Sequence, residues 1–238
     1  MSAAAPDNPV LTVLSCGEVD IEGRMPWSSN NTFLVSLCHE GDRMGAIYKP
    51  GRGERPLWDF PSGLYQREVA AWRLSEFLGW ALVPETVLRL DAPLGPGSLQ
   101  RFVDADFSEH YFTLMEKPEH HARLTDMAVF DVLLNNADRK SGHCLLGSDG
   151  RIWAIDNGLS FHVEPKLRTV IWDFAGEDVP ARLLSDIERL ADAVPQDVAE
   201  LLDDGEPAAL ERRARAVLSH PRLPAPHPER RPYPWPLV

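Results

Sequence analysis

Two short stretches carry residues whose types and spacing could do chemistry together: NNADRKSGHCLL, residues 135–146, and AIDNGLSF, residues 154–161. Asp138 and Asp156 are separated by two strand-like runs, HCLLG (143–147) and RIWAID (151–156), which flank the turn Ser-Asp-Gly. An antiparallel hairpin returns the chain to where it started, so both carboxylates fall at the same end of it. One base and one metal ligand at a common point are two of the parts that phosphoryl transfer needs, together with cations around the phosphates. Lys140, two residues past Asp138, and Lys49, in AIYKP, could supply those cations. Each residue also has a plainer role open to it. Asp138 could end a helix in a polar turn, Asp156 could be a turn residue, and the lysines could be solvated surface charge.

The elements that must hold these residues are legible as pattern. Lys49 closes the last of three strand-like runs, 13–25, 31–40 and 43–50, joined by the polar turns SSNN (28–31) and HEGDR (39–43). A Gly/Pro loop (51–63) leads into LYQREVAAWRLSEFLG (64–79), an amphipathic helix with Val69, Trp72, Leu74 and Phe77 spaced to pack inward and Gly79 as its stop. Runs 83–90 and 97–103 read as two more strands. Beyond Val103 the sequence turns polar and irregular, with room for a short helix, before the apolar helix ARLTDMAVFDVLLNN (122–136). Three further helical patterns cover 180–194, 195–204 and 207–219. The last 18 residues hold seven prolines and predict an extended tail, clasping the surface through Tyr233 and Trp235. The expected division is a sheet lobe over 10–103, a helical lobe over 104–220 and a Pro-rich tail over 221–238.

Composition narrows the partners. The chain has 238 residues, 44% of them hydrophobic, with seven Trp, enough for a sizeable core. A formal net charge of −12 disfavours nucleic acid and anionic membrane surfaces. No run of apolar residues is long enough to span a bilayer, and the N-terminus does not read as a signal peptide. Cys16, Cys38 and Cys144 have no metal-like spacing and predict reduced thiols in a cytoplasmic protein. Abundant Ala, Arg and Pro suit a GC-rich bacterial genome.

With a strand Lys, a helix Glu, NADR (136–139) and AIDNGLSF (154–161) in this order, the chain resembles the protein-kinase-like superfamily. The likeness is to its phosphatidylinositol 3-/4-kinase branch, type II phosphatidylinositol 4-kinases above all, with the Asp-Asn-Gly version shared by kinases resembling the Golgi casein kinase. It covers roughly residues 15–175 and implies a small bacterial member. The implied fold is α+β and two-lobed, with an antiparallel-sheet N-lobe that binds nucleotide and a helical C-lobe. The resemblance implies ATP with Mg²⁺ or Mn²⁺ as cofactors. It makes Asp138 the catalytic Asp and Lys140 a cation on the transferring group. It gives Asp156 to the metal, Lys49 to the phosphates and Glu68 to Lys49, with Glu54 and Glu76 as competitors for that pairing. Ser28, Ser29, Asn30 and Asn31 stand where a phosphate-covering loop would lie, and residues 100–103, among them Gln100, Phe102 and Val103, where a hinge strand would meet adenine.

One position departs from the pattern. The family usually places Asn five residues after the catalytic Asp, and here that residue is His143. An imidazole suits softer ions than Mg²⁺, so His143 either ligates and favours Mn²⁺ or is structural. His110, His120, His121 and His162 read as loop or surface histidines. The acceptor is open: a small polyol-like molecule or a protein hydroxyl is preferred over a lipid, since no basic amphipathic helix or acylation-like Cys cluster is present. Two other outcomes are a nucleotide-binding pseudokinase and an enzyme that transfers AMP.

Overall fold

The computed structural model describes residues 8–26, 30–227, 229 and 231–237. Ser28 and Ser29, together with Trp27, lie outside the described residues. The chain divides into two compact units, one of residues 1–69 and 84–102, the other of 70–83 and 103–238. The second unit therefore takes residues 70–83 and Val103, which the sequence pattern placed in the sheet lobe.

The first unit is a five-stranded antiparallel sheet with spatial order β1-β2-β3-β5-β4. Its strands are β1 (Glu18–Arg24), β2 (Phe33–His39), β3 (Asp42–Pro50), β4 (Thr86–Arg89) and β5 (Gly97–Arg101). Alternation decides its buried face: Val35 and Leu37 of β2, and Ala46 and Tyr48 of β3, join Leu99 of β5 in one cluster. The β2–β3 hairpin closes with His39 opposite Asp42, through Glu40 (φ 50°) and Gly41 (φ 97°). Positive φ at both central residues matches the right-handed twist of the strands.

Residues 13–16, expected to begin the first strand, instead end a helix, α1 (Pro9–Cys16). The start signal is Asn8-Pro9: the Asn8 side chain accepts from Val10 N at 3.0 Å, and Pro9 fills the first turn, where its missing N–H costs nothing. Val13 and Leu14 then pack on the sheet. At the other end the guanidinium of Arg89 donates to the carbonyls of Leu14 and Gly17, both at 3.0 Å. A lone eight-residue helix is marginal, and this one is held by that long-range cap and by burial, neither visible in the local pattern.

α2 (Leu64–Leu78) gives its first turns to the first unit and its residues from Ala70 onward to the second. Its core is α4 (His121–Leu134), ten of whose residues are buried. It packs beside α7 (Glu206–Ser219), and α7 packs on α5 (Ala181–Asp192). The segments α3 (Tyr111–Met115) and α6 (Gln196–Ala199) are short connectors. β6 (Cys144–Leu146) and β7 (Ile152–Ala154) form the expected hairpin, with Cys144 opposite Ala154. The Pro-rich tail does clasp this unit, but with backbone rather than aromatic rings. Pro232 O accepts from Thr169 N at 3.0 Å and from Trp172 Nε1 at 3.1 Å, and Leu237 O accepts from Ser141 N at 2.8 Å. Tyr233 and Trp235 are exposed.

Candidate active site

In the first unit, β3 delivers Lys49 and the opening turns of α2 deliver Glu68, and the two form an ion pair. The competition among acidic residues is settled by burial and capping. Glu54 is occupied at the start of α2, where its carboxylate accepts from Gly63 N and Tyr65 N, both at 2.8 Å. Glu76 is exposed, whereas Glu68 is 3% exposed. A buried carboxylate is stable in charged form only with a partner, and Lys49 is that partner.

Asn30 and Asn31 are tied to the turn that follows β3. The Asn30 side chain accepts from Arg55 N at 3.1 Å, and Asn31 N donates to Gly53 O at 3.2 Å. A Cβ on Gly53 would sit 2.7 Å from that of Asn31, so the close approach needs glycine. Gln100 is committed within the sheet: it is buried and donates to Thr86 Oγ1 at 2.9 Å. Phe102 N is likewise taken, by Gly45 O at 3.0 Å. Val103 is buried in a cluster with Leu145 and Trp153.

The second unit brings together Asp138, Lys140, His143 and Asp156. α4 ends at Asn135 in the left-handed region (φ 55°), and the Asn135 amide donates to His162 O at 2.9 Å and Glu164 O at 2.6 Å. The Asn136 amide bridges Asp131 Oδ1 (3.1 Å) and Asp138 N (2.9 Å). These contacts set the path of the chain into Asp138. Lys140 Nζ lies 3.2 Å from Asp138 Oδ2. Burial pushes the Asp138 carboxyl up to about 6; Lys140 opposes this, and the negative charge of Asp156 adds to it.

Asp156 holds φ 57°, unusual for a non-glycine residue and of the kind that concentrates at functional sites. Its carboxylate is about half exposed, and His143 Nε2 stands 3.3 Å from Oδ2. The other imidazole nitrogen, Nδ1, accepts from Lys140 N at 3.4 Å. In neutral form that tautomer leaves the proton on Nε2, directed at Asp156.

The residue that sequence reasoning missed is Arg139, fully buried together with Asp131. Its guanidinium donates to both oxygens of Asp131 (2.9–3.2 Å), to Ile155 O at 2.7 Å and to Asn157 Oδ1 at 2.6 Å. One side chain thus binds helix α4 to both neighbours of Asp156 while standing next to Asp138 in sequence. The available signal was Asp131 itself, a carboxylate inside the apolar run MAVFDVLL with no cation at helical spacing on its own helix.

Among the described residues, no group of three or more His, Cys, Asp or Glu side chains is arranged to hold a metal alone. A half-exposed carboxylate beside one imidazole fits a divalent cation that keeps waters and takes its remaining ligands from phosphates, as Mg²⁺ does. Asp156 would hold such an ion, whose chemistry would be to neutralise charge on a polyphosphate.

Residues 80–206 match the family described as phosphatidylinositol 3- and 4-kinase. Protein Rv2133c of Mycobacterium tuberculosis (strain ATCC 25618 / H37Rv) is 42% identical over 262 residues, covering 94% of each chain. In fold the chain is similar to hydra Fam20 solved with sugar, with a TM-score of 0.55 at 16% identity over 88% of this chain and 86% of that one. It is also similar to the Helicobacter pylori proinflammatory kinase CtkA, with a TM-score of 0.51 at 13% identity over 88% and 94%. With a kinase-like α+β fold and a family match across its catalytic unit, the chain belongs to the phosphatidylinositol 3- and 4-kinase family and is a kinase-type phosphotransferase.

Proposed function

We infer that the protein transfers the γ-phosphate of ATP to a hydroxyl group of a small polyol-like molecule or of a protein. The observation that carries this reading is the Asp138 carboxyl, partly buried beside Lys140 and pushed up to about 6. A base works best with a pKa close to the working pH. In the step itself the acceptor hydroxyl gives its proton to Asp138 and its oxygen bonds the γ-phosphorus. The bond to the β–γ bridging oxygen breaks, and ADP leaves. Lys140 exchanges Asp138 for the transferring phosphoryl, Lys49 contacts the nucleotide phosphates, and Glu68 orients Lys49. Asp156 would hold a divalent ion, with His143, 3.3 Å from its carboxylate, positioning it rather than ligating. Asn30 and Asn31, with Ser28 and Ser29, are proposed for the phosphate-covering turn. Residues 100–103, among them Gln100, Phe102 and Val103, are proposed for the strand that meets the adenine.

Net charge disfavours an acceptor on nucleic acid or on an anionic membrane surface. The net charge is −12, and no helix of the described residues is long and apolar enough to cross a membrane.

Titration with ATP by calorimetry, with and without Mg²⁺, tests the division of labour. Asp156→Ala should abolish the metal-dependent part of binding, and Asp138→Asn should keep it within about threefold, a change worth less than 1 kcal/mol. Equal loss in both variants would remove the assignment. His143→Asn addresses the departure from the family pattern: if the imidazole only positions Asp156, the Mg²⁺-to-Mn²⁺ activity ratio should change less than about twofold. A tenfold swing toward Mg²⁺, worth 1.4 kcal/mol, would make His143 a ligand.

A further inference from the structure

Away from these residues, the second unit has a pocket of about 390 Å³ lined by His120 and Arg123 at the start of α4, by Arg151 at the β6–β7 turn, and by Trp80 and Ala81. Arg123 is half-buried, and everything it binds is neutral. It donates to Trp80 O at 2.7 Å, to Ala81 O and to Ile152 O at 3.3 Å. Among the described residues it has no ion pair. The nearby carboxylate, Asp126, is bound by Arg182. Desolvation and the like charges of Arg151 and Arg182 pull the Arg123 pKa down, with Asp126 acting against them. A half-buried guanidinium held among carbonyls, with a second arginine and a histidine on the same wall, leaves positive charge facing the pocket without a carboxylate partner among the described residues. The one carboxylate in the lining, Glu119, is exposed to solvent.

We propose that this pocket is a second ligand site, taking the phosphate or carboxylate group of a small anionic metabolite on Arg123 and Arg151. Arginine's planar fork suits both oxyanions. The site is separate from the catalytic loop, yet Ile152, whose carbonyl Arg123 binds, opens β7, the strand that runs on to Asp156.

The test uses the full-length protein, with inorganic phosphate and citrate as probes against sodium chloride at matched ionic strength, read by thermal melting and by calorimetry. Phosphate stabilises proteins generally by exclusion from their surface, so the decisive comparison is between variants. Arg151 is exposed, with only a stacking contact over Trp153, so its replacement should spare the fold. Arg151→Glu should weaken binding of the probe at least tenfold and remove the excess stabilisation. Lys49→Ala, which would weaken phosphate binding at the proposed nucleotide site, should leave both intact. Phosphate and citrate binding alike supports a general oxyanion site, and binding of one of them names the group preferred. Loss in Lys49→Ala with retention in Arg151→Glu would place the anion at the nucleotide site and overturn the proposal. So would equal binding in wild type and Arg151→Glu, or no binding to wild type beyond the chloride control.

Discussion

Asp138→Asn should cut phosphoryl transfer by about 10²–10⁴-fold, the range that a positioned general base supplies, and at the same time make the protein more stable at neutral pH. The two effects share a cause. Burial pushes the Asp138 carboxyl up to about 6 in the folded protein from an ordinary 3.8, because it disfavours the charged form. Between those values the folded chain binds more protons than the unfolded one, so this group's contribution to stability is complete below the unfolded pKa. It is lost as pH rises through the folded pKa. At pH 7 the ionised side chain costs roughly 2–3 kcal/mol, at 1.36 kcal/mol per unit. Asn cannot ionise. The variant should therefore melt several degrees above wild type at pH 7, at roughly 2–4 °C per kcal/mol for a chain this long, and the gap should close near pH 4. Wild-type transfer should rise with pH along a limb centred near 6, and that limb should be absent from the residual activity of Asp138→Asn. A variant that keeps full activity, or that melts lower at pH 7 than at pH 4 relative to wild type, would remove Asp138 from the role of base.

Arg139→Met should cost about 3–5 kcal/mol of stability, the usual consequence of removing one partner from a buried ion pair. Asp131 would be left fully buried and charged, and Ile155 O and Asn157 Oδ1 would lose their donor. Lysine should not rescue the variant, because one ammonium cannot span Asp131, Ile155 and Asn157 as the guanidinium does. The double variant Arg139→Met/Asp131→Leu should recover part of the loss, since no charge is then stranded. Urea denaturation of the four proteins in that cycle gives the coupling directly. A loss below about 1 kcal/mol in Arg139→Met, the level of an exposed pair, would mean that the hub does not hold the two loops.

Asp138 and Asp156 were legible because a hairpin is a local object: its period and its turn are written in consecutive residues, and they fix where the two ends meet. Lys49 and Glu68 were legible as a pair only through family likeness. The reason Glu68 takes that role is tertiary, since Glu54 is drawn to the start of α2 and Glu76 points to water. Arg139 escaped because nothing in NADR reveals which of its charges will be buried. Only the packing of α4 brings Asp131 against it. The first helix was misread for a related reason. VLSC has no periodicity of its own in so short a run, and what makes it helical is the cap at Asn8 and the distant guanidinium of Arg89. Which groups of the Pro-rich tail would touch the body depended on carbonyl positions in Pro232 and Leu237 that composition does not encode.

The most direct measurement of the central claim is transfer from labelled ATP. Purified protein is incubated with ATP labelled at either the γ- or the α-phosphate, with Mg²⁺ or Mn²⁺, and with pools of polyols and of Ser/Thr-containing proteins as acceptors. Label should move from the γ position alone, only with metal, and not in Asp138→Asn. Transfer from the α position would make the protein a nucleotidyl transferase. Metal-dependent ATP binding with no γ-transfer to any acceptor would contradict the phosphoryl-transfer mechanism assigned to Asp138 and Lys140.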